Sequence, residues 1–415
     1  MARVPMSSFL MMDLRLAARS LRRNPNRTLV AVLTVAMGII AFLLAGGFIE
    51  WIFQSMREAT IRWQLGHVQI VRPGYMVKGV ADPYRFLLPA TSPEFETIQQ
   101  ANGVVSVAQR LAFSGLLSHG DSTVSFIGEG VEPEREVAIS DDINLRSGKK
   151  LSRSDEKAAL LGEGLAKNLG VEPGDDIVLL VTTASGGPNA IEIKVAGIFF
   201  TASKEFDDNA LRLPIELARK LMRVDGATSW VVLLDRTEQT KATVEHLREV
   251  LPTESFQVIP WTDLADFYNK TVLLYSKQIN LMKYIIATLI LLTISNTQTM
   301  SVLERTTEIG TIMAIGQRRS RVLSTFLVEG VLIGVIGGVV GVSAGWLLAT
   351  IISVVGIPMP PAPGMTTGFT AEILVTSGMA IDAFVLALVT TLLASTLPAG
   401  RASRMNIVDA LRFNQ

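Results

Sequence analysis

The 415-residue chain contains no cysteine. Disulfide scaffolding, thiolate metal ligation and thiol catalysis are thereby excluded. Histidine is scarce: His67, His119 and His246 lie far apart, without ligand spacing. There is no G-x-x-x-x-G-K-[ST] phosphate loop; Gly148-Lys149-Lys150 lacks both the upstream glycine and the Ser/Thr. No H-E-x-x-H, G-x-S-x-G or zinc pattern occurs. The paired acids Asp141-Asp142, Asp175-Asp176 and Asp207-Asp208 sit in turn-like segments, where Asp caps helices and closes turns. Formal net charge is +0, which makes no global case for nucleic acid. An enzyme reading has no residues to stand on. The chain is expected to bind no metal or cofactor and to hydrolyse no ATP of its own.

What the chain has instead is apolar surface. Hydrophobic residues make up 49% of it, and mean hydropathy is +0.38. These values suggest a membrane protein diluted by a polar domain. Residues 1–27 form the first segment. Leu10, Leu14, Ala17, Ala18 and Leu21 recur at helical spacing, with Arg15, Arg19 and Arg22 on other faces. This predicts a basic amphipathic helix on a membrane surface, broken at Asn24-Pro25. Residues 28–49 then carry no charge over 22 positions, enough to cross a bilayer core. The region to 64 continues as a helical stalk with Trp51 and Trp63.

Between 65 and 260 charges and turn dipeptides return. Strand-like runs at 67–71, 124–127, 176–181, 191–195 and 230–234 alternate with helix-like segments at 92–100, 164–169, 214–222 and 237–250. A folded α+β domain of two lobes is expected here, with about 130–230 inserted into the flanking part. A second stalk and span follow at 261–303. Thr293, Ser295, Asn296, Thr297, Gln298 and Thr299 make the end of that span unusually polar, as if facing other helices.

The stretch 304–319 is charged and lies between two long apolar runs. Glu304 and Glu308 would fall one helical turn apart, with Ile309, Ile312 and Ile315 or Met313 on another side. It reads either as a short amphipathic helix that docks into a partner's groove or as a solvated linker. A third span occupies 320–356 and carries two small-residue ladders: Gly330, Gly334 and Gly338, then Gly337, Gly341 and Gly345. Such ladders let helix backbones approach closely. A Pro-rich loop lies at 357–375, a fourth span at 376–397 closed by Pro398, and a tail at 398–415. Two acids lie in or near spans. Glu329 is either functional or interfacial; Asp382 is either functional or ion-paired with Lys283.

Basic residues set the orientation. Arg3, Arg15, Arg19, Arg22, Arg23 and Arg27 precede the first span; Arg305, Arg318, Arg319 and Arg321 separate the second and third; Arg401, Arg404 and Arg412 follow the fourth. The positive-inside rule then places both termini and 304–319 in the cytoplasm. The expected fold is a four-helix membrane protein with a large extracytoplasmic α+β domain between helices 1 and 2.

Several stretches resemble the FtsX-like permease family of ABC transporters. SLRRNPNRT at 20–28 is similar to its pre-membrane motif, and MSVLERTTEIGTIMAIG at 300–316 to its most recognisable signature. FLVEG at 326–330 and the tail at 398–412 also resemble the family pattern. LGEGLAKNLGVEPGD at 161–175 and VAGI at 195–198 resemble the MacB-type periplasmic core domain. The resemblance implies a non-ATPase permease of the bacterial inner membrane, working with a second permease copy or paralogue and two copies of an ABC ATPase that binds ATP and Mg. It makes Glu304, Arg305, Glu308, Ile309, Gly310, Ala314, Ile315 and Gly316 the coupling helix. It implies that the stalks drive outward release of a lipoprotein or other amphipathic substrate, with a periplasmic carrier or outer partner. Macrolide exporters carry a fused ATPase that this sequence does not show, so the architecture resembles lipoprotein-releasing subunits more closely. The alternative is a signal transmitter that activates a cell-wall hydrolase; a passive scaffold would need no ATPase.

Overall fold

Pro25 opens the first long helix, α1 (Pro25–Thr60), where its fixed φ and missing N–H suit the first turn. The computed structural model describes residues 17–79, 82–139, 144–201, 204–360, 368–407 and 410. The expected amphipathic helix at 1–27 therefore lies partly outside the described residues; 17–23 are helical and the helix breaks at Asn24. The chain divides into two units, Met1–Phe53 with Val272–Ile357 and Thr370–Gln415, and Gln54–Thr271 with Pro358–Phe369.

In the first unit the long helices are α1, α2 (Asp266–Glu304), α4 (Arg319–Val355) and α5 (Ser377–Ser403). A short helix, α3 (Thr306–Ala314), lies between α2 and α4. All four long helices are apolar enough and long enough to cross a membrane. Their shared core is made of Val35, Ile39 and Leu43 from α1, Ile286, Ile290 and Ile294 from α2, Ile333 from α4, and Ala383, Ala387 and Ala394 from α5. The i, i+4 spacing in α1 and α2, and the i, i+4 and i, i+7 spacings in α5, put one stripe of each of those helices inward.

The glycine ladders explain why α4 can sit at the centre of this packing. Gly330 and Gly334 lie against Ser395 and Thr391 of α5, and Gly338 against Phe384. Gly337, Gly341 and Gly345 face α1 instead. A Cβ at Gly341 would come within 2.8 Å of Ile39 Cβ and 3.0 Å of the Ala36 backbone; at Gly345 it would meet Leu43 Cδ1 at 2.9 Å. One ladder thus admits α5 and the other α1, as small residues in membrane helices allow.

Two sequence expectations need correction. Pro398 does not close the last helix: α5 runs through it to Ser403. A buried proline in a membrane helix is tolerated where neighbouring groups and local adjustment absorb the missing hydrogen bond. The second stalk is also not continuous from 261. Trp261–Leu264 is a separate short helix, and Ala265 leaves helical geometry (φ −86°, ψ 58°) before α2 begins.

The second unit is built on one ten-stranded sheet. Its strands are β1 (Val68–Val71), β2 (Val104–His119), β3 (Ser122–Val131), β4 (Asn144–Gly148), β5 (Ala158–Gly162), β6 (Asp176–Thr182), β7 (Pro188–Phe200), β8 (Ala210–Pro214), β9 (Ser229–Leu234) and β10 (Gln257–Pro260). The order runs β10-β1-β9-β2-β3-β8-β5-β7-β4, and β6 pairs with both β2 and β7. Strands β2, β3, β8, β5, β7 and β6 therefore form a closed ring of pairings. The long β2 serves both parts: residues 104–110 pair with β9, and 115–118 with β6. Short helices cover the core, with Ser92 accepting from the Phe95 amide as the N-cap of Pro93–Gln99. Trp230 is fully buried, with Phe95 and Phe256 at ring distances of 5.2 and 5.4 Å.

Candidate functional site

The charged stretch resolves into two pieces with a corner between them. Helix α2 ends at Glu304, and Arg305 has non-helical angles (φ −103°, ψ 13°) that make it the N-cap of α3. Glu304 and Glu308 consequently lie on different helices rather than one turn apart. The Thr306 hydroxyl donates to the carbonyls of Val302 (3.1 Å) and Leu303 (2.8 Å), holding the corner. At the other end Gly316 takes φ +98°, and its amide donates to Met313 O at 3.0 Å. That left-handed turn suits glycine.

The apolar side chains of α3 divide between two faces. Ile309, Gly310 and Met313 are buried, Ile309 and Met313 in a cluster with Val302, Val322, Phe326, Ala399 and Ala402. Ile312 is 42% exposed and Ile315 82% exposed, beside exposed Ala314 and Gly316. The isoleucine stripe read from periodicity is therefore split: Ile309 anchors the helix, and Ile312 and Ile315 present apolar surface.

A ring of charges fixes α3. Arg23 pairs with Glu308 and Arg27 with Glu304. The Arg23 guanidinium holds the Glu308 carboxyl below the usual carboxylate range. Arg305 donates through Nη1 to Ser20 Oγ (2.7 Å) and to Glu329 Oε1 (2.9 Å), and its Nε lies 3.5 Å from Glu308 Oε2. Glu329 is 4% exposed, so the interfacial reading of that acid does not hold. Asp382 pairs with Lys283 at 3.2 Å, and Lys283 lies over the Phe42 ring at 5.4 Å. This is the ion-pair reading of Asp382. Ser20, Arg23 and Arg27 stood out in the sequence as part of the 20–28 stretch, but nothing there pointed to 304–308 as their partners. Gln298 is buried, and neither of its amide atoms has a partner among the described residues.

Within the second unit, the ends of both stalk segments rest on one face of the sheet. Ile61 and Leu65, from the π-helical turn Ile61–Leu65, pack with Trp261, Ala265 and Tyr268 against Ala108, Val231 and Leu233. A polar relay lies alongside. The Leu234 amide donates to His67 Nδ1 at 3.1 Å; His67 Nε2 is 3.0 Å from Thr237 Oγ1, which is 3.5 Å from Glu58. Burial lowers the His67 pKa to about 4, so the ring is neutral at physiological pH. A second buried network joins β2, β3, β8 and the helix Pro133–Ile139. Arg110 pairs with Glu136 at 2.5 Å, and Arg212 with Glu129 at 3.1 Å and Glu136 at 3.5 Å. Neither network was anticipated from sequence. The edge strand β10 is blocked against further pairing: Arg248 donates to Val258 O at 3.0 Å, and Pro260 ends it.

No group of three or more potential metal ligands occurs among the described residues. Of the paired acids, Asp175 acts as a turn residue, accepting from the Glu172 amide at 2.8 Å; Asp176 lies in β6 and pairs with Lys194, and buried Asp207, in the short helix Lys204–Asp207, accepts from the Thr201 amide and hydroxyl. Asp141-Asp142 lie outside the described residues.

Two family models match. Residues 280–407 fit the FtsX-like permease C-terminal model, and 28–250 the MacB-like periplasmic core domain. An uncharacterised ABC transporter permease of Methanocaldococcus jannaschii is 24% identical, over 95% of this chain and 96% of its own length. A macrolide export ATP-binding/permease protein, MacB, of Hyphomonas neptunium is 27% identical over 96% of this chain. The alignment spans only 60% of that relative's length. A lipoprotein-releasing system transmembrane protein, LolC, of Xylella fastidiosa is 28% identical over 61% of this chain and 64% of its own. With more than half of its residues on the periplasmic-core model and its last helices on the permease model, the chain belongs to the FtsX-like family of ABC transporter permeases of MacB and LolC type.

Proposed function

We propose that the chain is the membrane subunit of an ABC transporter, with α3 docked on a separate nucleotide-hydrolysing subunit. The observation that carries this is the split of α3: a helix pinned by Ile309, Met313 and a ring of charges, yet presenting Ile312 and Ile315 to solvent. An apolar tip on an anchored amphipathic helix matches a helix-in-groove contact. The partner would bind ATP and Mg, and two copies would serve a pair of permeases, the second being another copy or a paralogue.

The arginine distribution supports cytoplasmic termini, a cytoplasmic α3 and an external sheet domain in a bacterial inner membrane. In this reading each stroke of the ATPase moves α3, and the long helices α1 and α2 carry the motion outward. The cargo is a lipoprotein or other amphipathic molecule, released on the extracytoplasmic side, with a periplasmic carrier or outer partner receiving it. Photocrosslinkers at Trp51 and Tyr275 test the cargo. Capture of a lipoprotein or lipid supports transport. Capture of only a cell-wall hydrolase defeats it in favour of signal transmission.

A further inference from the structure

Arg305 stands where three segments meet. Its carbonyl accepts from the Ile309 amide at 2.9 Å and so belongs to α3. Its guanidinium belongs to other elements: Ser20 before α1, and Glu329 inside α4, with its Cζ 5.6 Å from the Phe326 ring centroid. Phe326 and Glu329 are three residues apart and share one face of α4. Phe326 also packs in the cluster that contains Ile309 and Met313.

The contacts of this corner differ in stiffness. Arg23–Glu308 and Arg27–Glu304 are exposed pairs, with carboxylates 41% and 43% open. Exposed pairs are screened and exchange readily with water. Arg305–Glu329 is different, because the Glu329 side chain is only 5% exposed. Withdrawing Arg305 would leave a buried carboxylate without its cation, a strongly unfavourable state. The pair therefore resists any displacement of the α3 corner relative to α4, while the outer pairs yield.

We propose that Arg305–Glu329 is the latch that makes α3 and α4 move as one body. Arg305 is a positioning residue: it sets the seat of α3 and transmits displacement at α3 to α4. The inference rests on the reading of α3 as a docking helix for its use in transport, although the latch itself is a property of this chain.

The absence of cysteine makes the test direct, since two introduced cysteines are the only label sites. The full chain in lipid nanodiscs is spin-labelled at Ile315→Cys and Val340→Cys, both exposed positions. The distance distribution is then compared among the parent, Glu329→Gln, Arg305→Gln and the charge reversal R305E/E329R. The expected result is a narrow distribution in the parent, about twofold broader in each single variant, and narrowed again in the reversal. Single variants as narrow as the parent would overturn the latch. So would a reversal that elutes as a folded protein and stays broad, which covers the case in which a single variant fails to fold. The docking reading is tested apart from this by Ile315→Asp, whose loss of P-loop subunit binding supports it. Undiminished binding in Ile315→Asp would remove the docking role and leave the distance result to decide the latch alone.

Discussion

At the residue scale, His67 carries the clearest pH signature. Its pKa lies near 4 in the fold against an ordinary value of 6.5, so the unfolded chain takes up the proton first. The stability this ring contributes is complete above pH 6.5 and is lost progressively as pH falls towards 4. Protonation at Nδ1 also removes the acceptor of the Leu234 amide, and a buried orphan amide costs about 1–3 kcal/mol. Hydrogen-exchange protection of Leu234, corrected for intrinsic rates, should fall across that window, and His67→Gln should flatten the fall. An unchanged pH profile in the variant would refute the assignment. Gln298 makes the opposite case: Gln298→Leu should raise the melting temperature in detergent, because a buried amide without partners among the described residues is replaced by an apolar side chain. A lower melting temperature would mean that the amide is satisfied in the membrane. In the sequence Gln298 stood out only as one of six polar residues expected to face other helices, and His67 only as one of three scattered histidines. The character of each comes from burial, and that of His67 also from Leu234, 167 positions away in the chain, which periodicity does not encode.

At the scale of elements, the sequence was most informative where one element repeats a simple spacing. The glycine ladders predicted close packing, and the structure adds which helix each ladder meets. Gly341→Val should push α1 from α4, because the new Cβ meets the Ala36 backbone rather than a movable side-chain tip. A destabilisation of about 1–3 kcal/mol is expected from such overpacking. Thermal unfolding in detergent checks it, and a variant as stable as the parent would contradict the packing. Gly316, with open space around its Cβ position, should differ by responding through backbone strain alone. Less was legible where an element ends. The corner at Arg305 falls just inside the expected 304–319 segment and separates Glu304 from Glu308, because its hydrogen bonds come from Thr306 and its side-chain partners from Ser20 and Glu329. The passage of α5 through Pro398 was missed for a related reason: in a bundle, neighbouring helices supply what the proline removes. The 16-residue strand β2 was hidden as well, because Arg110 interrupts its apolar pattern and is buried among the carboxylates of Glu136 and Glu129.

At the scale of the whole molecule, four long apolar runs and a polar insert are enough to read the class of protein. The orientation is a prediction from arginine placement. Single cysteines at Gly187 and Gln317 should be labelled from opposite sides of sealed vesicles, and labelling of both from one side would sink the topology. Transport rests on the exposed tip of α3, and it can be tested without knowing the cargo. The most direct measurement is ATP hydrolysis by the P-loop subunit copurified with the full chain, compared with the variant Ile312→Asp/Ile315→Asp. Charges at the centre of an apolar contact should lower the stimulated rate by on the order of tenfold or more, with the membrane fold intact. A variant that keeps its partner and stimulates hydrolysis as the parent does would contradict the account.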